Sequence, residues 1–201
     1  MIEKKRFLSG FITIFVCIIF FAAATGVSAG ERLIYAPTAE LEGDSGFLAG
    51  ETDGTGYSAR GMVNLSPWLG LGANYDGNQT DMMARMVFVS EETDRPGIAA
   101  GVRREDVYLV FSKRISYGFS GHVGYGNGSM EGPFLGVRKV INPVSYSGEG
   151  EGFSLPSTDL VGEYFAGNVN LGAEFRFNSS LSVNVAVEDF SQLKGGFSLG
   201  F

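Results

Sequence analysis

The sequence predicts an all-β fold: a transmembrane antiparallel up-and-down β-barrel of about twelve strands (range 8–14), preceded by a cleaved signal peptide. Three observations carry that expectation. Apolar residues alternate with small polar ones along most of the chain, the first 29 residues have the build of a secretory signal, and the last residue is a phenylalanine closing an alternating segment.

The N-terminus comes first. Lys4, Lys5 and Arg6 form a positive stretch, Phe11 to Ala24 an uncharged apolar one, and Val27-Ser28-Ala29 places small residues where a signal peptidase reads, so cleavage is expected after Ala29. The apolar stretch is shorter than the roughly 20 residues that span a bilayer as a helix. Phe15 and Val16 before Cys17 are too bulky for a lipoprotein signal. The chain then divides into a signal peptide, 1–29, an N-terminal periplasmic or lumenal segment, 30–45, and a barrel, 46–201.

Composition narrows the function. With 201 residues, 44% hydrophobic and 18% charged, the chain is too apolar for disorder and holds fewer charges than the roughly 25% of soluble domains. A net charge of -7 argues against nucleic acid, which needs a basic face. The single cysteine excludes disulfide frameworks and cysteine-based zinc sites, and the single histidine, His122, excludes most histidine metal clusters. No metal or cofactor is expected.

The alternation places strands near 46–52, 56–65, 69–76, 81–89, 97–103, 106–114, 118–126, 133–140, 159–166, 168–177, 181–189 and 195–201. In 168–177, Val169, Leu171, Ala173, Phe175 and Phe177 share one face, and Asn168, Asn170, Gly172, Glu174 and Arg176 the other. A soluble barrel would bury the large apolar set and expose Lys and Glu. Here the second face is Gly, Ser and Asn with a few charges, which suits a crowded polar lumen with lipid on the apolar side. Tyr57, Trp68, Tyr75, Tyr117, Tyr125, Phe134, Tyr164, Phe177 and Phe190 lie near segment ends, where interfacial girdles belong.

An even strand number puts both termini on the periplasmic side. Ser66-Pro67-Trp68, Ile115-Ser116 and 178–180 then become periplasmic turns, together with a long loop at 141–158. Asp53-Gly54, Asp76-Gly77, Gly126-Asn127-Gly128 and 191–194 face outward. Lys194, Gly196, Phe197, Leu199 and Phe201 match the terminal-strand signal read by the barrel-assembly machinery, whose physical content is a free edge ready to pair.

Several segments resemble the N-terminal barrel of YjbH-type exopolysaccharide-biosynthesis proteins: 33–40 followed by a Gly-rich strand, Ser112-Lys113-Arg114, Gly-Tyr-Gly at 124–126, Phe134-Leu135-Gly136-Val137, and Glu163-Tyr164. The resemblance implies an outer-membrane barrel linked to production or export of surface polysaccharide, with polysaccharide-export proteins as partners beside membrane lipid.

The phase of the strands turns Arg60, Arg85, Arg103, His122, Arg138, Glu163, Glu174, Arg176, Asn184 and Glu188 inward, since a bare charge facing lipid costs about 2–4 kcal/mol at midplane. Two readings of this set are open: a charge ladder that plugs the lumen of a structural or anchoring barrel, or a narrow polar channel whose Arg and Glu orient sugar hydroxyls or carboxylates. An outer-membrane lipid-modifying enzyme would need His122 beside a serine, and Ser120 is the same-face candidate, yet no nucleophile elbow accompanies it. The oxygen-rich run 76–81 lacks the spacing of a calcium loop and reads as a hairpin turn.

Overall fold

A computed structural model of the chain describes residues 33–41, 45–142, 156–178 and 180–201. The expected signal peptide and most of the 141–158 loop lie outside the described residues. Twelve strands are present: β1 (Gly46–Thr52), β2 (Tyr57–Ser66), β3 (Leu69–Tyr75), β4 (Thr80–Val89), β5 (Gly97–Arg103), β6 (Asp106–Arg114), β7 (Phe119–Gly126), β8 (Gly132–Asn142), β9 (Ser157–Phe165), β10 (Asn168–Arg176), β11 (Leu181–Glu188) and β12 (Gln192–Gly200). Each pairs antiparallel with its sequence neighbours, and β1 pairs with β12, so the sheet closes as the alternation predicts.

Closure is made by main chain at the last residue. Phe47↔Gly200 through Thr52↔Gly195 form the seam, and beyond them Phe201 donates its N–H to the Gly46 carbonyl (3.0 Å) and accepts from Ser45 (2.7 Å) and Gly46 (3.0 Å). A closed sheet has no edge, which is what a bilayer demands. Val63, Leu71, Val102, Leu109, Val123, Leu135, Leu160, Leu171 and Phe197 stand exposed on the outer face, as a lipid-facing wall requires.

The two ends differ. One, the hairpin end, carries only short turns at 53–56, 76–79, 104–105, 127–131, 166–167 and 189–191, with Tyr57, Tyr125, Tyr164 and Phe190 exposed and Tyr75 half-buried beside them. The other, the terminal end, carries Ser45 and Phe201, with Trp68, Phe88, Phe119 and Phe177 exposed near it.

Several boundaries depart from the sequence expectation. The turn expected at 191–194 is shorter, because Asp189 and Phe190 both adopt left-handed backbone (φ 45° and 54°) and reverse the chain early; Lys194 is thus inside β12. Residues 141–142 and 157–158 belong to β8 and β9 rather than to a loop. A 3-10 turn at Ser116–Gly118, with Tyr117 at φ 60°, replaces the start expected for β7. The lumen is also not uniformly polar. Ala36, Ala39, Val87, Ala99, Tyr108, Val110, Met130 and Phe134 form one buried apolar cluster, and Phe47, Ala49, Met62 and Met83 another. Most of that apolar content comes from the wall itself, and Ala36 and Ala39, with Leu33 and Leu41 packed against them, add the contribution of residues 33–41.

Candidate functional site: a lumen occupied by residues 33–41

Residues 33–41 run through the barrel. Their first part lies among Glu163, Glu188 and Lys194 toward the hairpin end, and their last part beside Ser112 and Arg114 toward the terminal end. Ala36, Thr38 and Ala39 are 0–4% exposed, so the strand wall encloses them completely.

The tightest contact is one carboxylate. Glu163 is 3% exposed and its two oxygens accept the backbone N–H groups of Ile34 (3.1 Å), Tyr35 (2.9 and 3.1 Å) and Ala36 (2.9 Å). Asn170, opposite it on β10, donates its side-chain amide at 3.0 Å. Three successive N–H groups converging on one anion need an irregular turn, and Leu33 N–H donating to the Ala36 carbonyl (2.9 Å) closes that turn. Hydrogen bonds to an ionised acceptor are roughly twice as strong as neutral ones. Tyr35 adds a hydroxyl bond to Glu188 (3.1 Å), while Lys194 sits 4.7 Å from the centre of its ring and 2.8 Å from Glu188. At the other end Ala39 N–H donates to Ser112 Oγ (2.7 Å), and Arg114 pairs with Glu40 (3.0 Å).

The remaining inward side chains form ion pairs along the wall. Arg138 lies 3.9 Å from Asp159 and 3.7 Å from Glu174, and Arg176 bonds Asp159 at 2.9 Å. Arg60 lies 3.6 Å from Glu51 with its guanidinium 5.5 Å from the Phe47 ring centre, and Arg103 lies 3.6 Å from Asp106. Arg85 is fully buried, in register with Gly70 and Gly101, and Asn184 faces Glu174 and Gly196. Thus Glu163, Glu188 and Lys194 meet at the segment, whereas Arg60, Arg103, Arg138 and Arg176 meet acids of the wall and Glu174 meets Arg138. Of the terminal-strand residues, Gly196 shares the inward phase of Lys194, and Phe197 and Leu199 the outward one.

His122 corrects one expectation. Its Nδ1 lies 2.8 Å from Ser112 Oγ on the neighbouring strand, so Ser112 and not Ser120 is its partner. Among the described residues no group bonds His122 Nε2, so the acid that would orient a catalytic imidazole is missing. Asp159, Asp106, Glu51, Ser112 and Tyr35 were not singled out from the sequence as lumen residues. The first four share the inward phase of residues that were, so alternation could have found them. Tyr35 left no signal, because it lies in no strand.

Beside the segment runs a cavity of about 40 Å³ lined by Leu33, Ile34 and Tyr35 on one side and by Glu51, Arg60, Glu174, Asn184 and Lys194 on the other. It has room for a few waters.

Fold and lumen together define a membrane-type β-barrel with residues 33–41 inside its lumen. No family model and no curated protein matches the chain. Two solved structures are similar in architecture: a KdgM porin, at 13% identity and TM-score 0.49, and a KdgM porin in complex with disordered oligogalacturonate, at 14% and 0.46. Each match covers 78% of this chain and 98% of the other.

Proposed function

We propose that this protein is a bacterial outer-membrane β-barrel that holds a narrow polar channel shut with residues 33–41. The observation that supports the reading is the grip of Glu163 on three consecutive backbone N–H groups toward the hairpin end of a lumen whose other wall is lined with charge. A purely structural barrel could fill its lumen with wall side chains; a dedicated latch on a peptide segment is what a closable path needs.

The test is electrical. In planar bilayers the native protein is expected to be silent. Glu163→Ala leaves the N–H groups of Ile34, Tyr35 and Ala36 and the Asn170 amide without their acceptor. At about 1–3 kcal/mol for each unsatisfied buried group, a shift of even ~3 kcal/mol moves the closed-to-open ratio on the order of 100-fold, and stepwise openings follow. A Glu163→Ala barrel that is folded, as its shift on unboiled gels reports, yet silent would refute the channel.

The finer reading is that the path serves surface polysaccharide, with export proteins as partners. It rests on the resemblance to YjbH-type barrels and on a path lined by Arg, Glu and Asn, groups able to bind hydroxyls. Loss of the gene is then expected to lower cell-surface polysaccharide, and unchanged polysaccharide would remove this reading while leaving the channel.

A further inference from the structure

Residues 33–41 consist of two halves with different surroundings. The first, 33–36, is a self-contained hydrogen-bonded turn, Leu33 N–H to Ala36 carbonyl. It reaches across the lumen to β9, β11 and β12 through Glu163, Glu188 and Lys194, and the cavity abuts it at Leu33, Ile34 and Tyr35. The second, 38–41, touches no part of that cavity. Ala39 and Leu41 share with Leu33 and Ala36 the cluster that holds Val87, Ala99 and Val110 of β4–β6, but the second half is pinned in addition by Ser112 and Arg114, and Leu41 bridges to the cluster of Phe47 and Met62. Between them stands Pro37, which has no N–H to bond to the wall.

Resting on the closed-channel reading, we propose that the segment opens as a flap: residues 33–36 swing away from Glu163 while residues 38–41 stay seated against β4–β6. The cavity beside Glu174 and Asn184 borders the first half. The cavity wall extends from Glu51 and Lys194 near the hairpin end to Ser182 and Ser198 near the terminal end. Withdrawal of the turn therefore widens a path along β1, β2 and β10–β12 without displacing the second half. A piston would in addition have to strip Thr38 and Ala39 from a wall that leaves them 1% and 4% exposed.

Two disulfide locks separate the motions in the full-length chain, whose one native cysteine is Cys17 in the expected signal peptide. At Gly97 a Cβ would lie 3.2 Å from the Ala39 Cβ, close to disulfide spacing, so Ala39→Cys with Gly97→Cys locks the second half. At Gly136 a Cβ would occupy the place of a Leu33 methyl, so Leu33→Cys with Gly136→Cys locks the first. Both are built on Glu163→Ala and recorded in bilayers, with bond formation checked by mass. The oxidised Leu33–Gly136 lock is expected to abolish openings and dithiothreitol to restore them, whereas the oxidised Ala39–Gly97 lock leaves open probability within about twofold. Silence with the Ala39–Gly97 lock, or openings through the Leu33–Gly136 lock, overturns the flap while leaving the channel intact. Silence of Glu163→Ala before any lock overturns both. Should a double variant fail to fold, single cysteines decide: in the Glu163→Ala chain Leu33→Cys should react with a water-soluble thiol reagent at least tenfold faster than Ala39→Cys, and equal rates refute the flap.

Discussion

Removing Phe201 should weaken the barrel more than changing its side chain does. Its main chain makes three hydrogen bonds to Ser45 and Gly46 beyond the last registered pair of the β1–β12 seam. Deletion abolishes all three at the terminal end, where water replaces part of the loss, so each is worth about 0.5–1.5 kcal/mol. The sum is about 1.5–4.5 kcal/mol, a fall in urea midpoint of roughly 1–2 M at an m-value near 2 kcal/mol/M. Phe201→Asp keeps those bonds and loses only a partly exposed ring, about 1–2 kcal/mol. Refolding into detergent micelles, followed by the gel shift of the closed barrel across a urea series, measures both. In cells the terminal-strand signal expected from the sequence predicts that the two variants look alike, both depleted from the outer membrane. An unchanged urea midpoint for the deletion would show that Phe201 closes nothing; normal membrane levels of Phe201→Asp would refute the terminal-strand signal.

Other outcomes are expected from the same geometry. Gly124 faces Phe134 across β7–β8, and a Cβ there collides with that ring and with the Leu109 carbonyl oxygen, so Gly124→Ala should cost about 1–3 kcal/mol in the same urea series. Arg138→Ala leaves the fully buried Asp159 with Arg176 alone and should destabilise by about 1–3 kcal/mol, whereas Arg138→Ala combined with Asp159→Ala should recover part of that loss. Asp53, in the β1–β2 turn, is held down to about 2 by the Thr55 hydroxyl and by the N–H groups of Thr55 and Gly56. A carboxylate whose folded value is depressed stabilises above its ordinary value near 3.8 and loses that contribution as pH falls through about 2. Carbon NMR should find Asp53 titrating near 2 and moving up in Thr55→Ala; titration at its ordinary value would refute the turn.

The wall was legible because a two-residue period forces every inward residue to declare itself: once Val169 and Leu171 face lipid, Asn170 and Glu174 face the lumen. Twelve strands followed from turns, and closure from the edge that Phe201 completes. Residues 33–41 were legible only as a segment inside or below the barrel. Their shape is imposed by Glu163, more than 120 positions away in sequence, and no local period encodes it. His122 shows the same limit on a smaller scale. Residues two apart on a strand share a face, yet the cross-strand neighbour is closer, about 4.5–5.5 Å between Cβ atoms, so Ser112 rather than Ser120 reaches the imidazole. Asp189 suits a left-handed turn position, but Phe190 carries no side-chain signature of a tight reversal, which is why β12 begins earlier than the spacing of apolar residues suggests.

The threading of residues 33–41 imposes an order on assembly. Tyr35, Ala36 and Ala39 lie inside a ring whose final seam joins β1 to β12, and β1 is the strand that continues directly from them. If the ring shut first, the segment would have to enter afterwards past Phe134, Tyr108 and the paired charges, with a tyrosine ring at its head. If it docks while β12 is still unpaired, Glu163 can collect its N–H groups from an open sheet. The segment then serves as a mandrel: β9 and β10, which hold it, must be in place before the first strand meets the last, and its contacts, among the longest in sequence separation in the molecule, set the pace at which the barrel is finished.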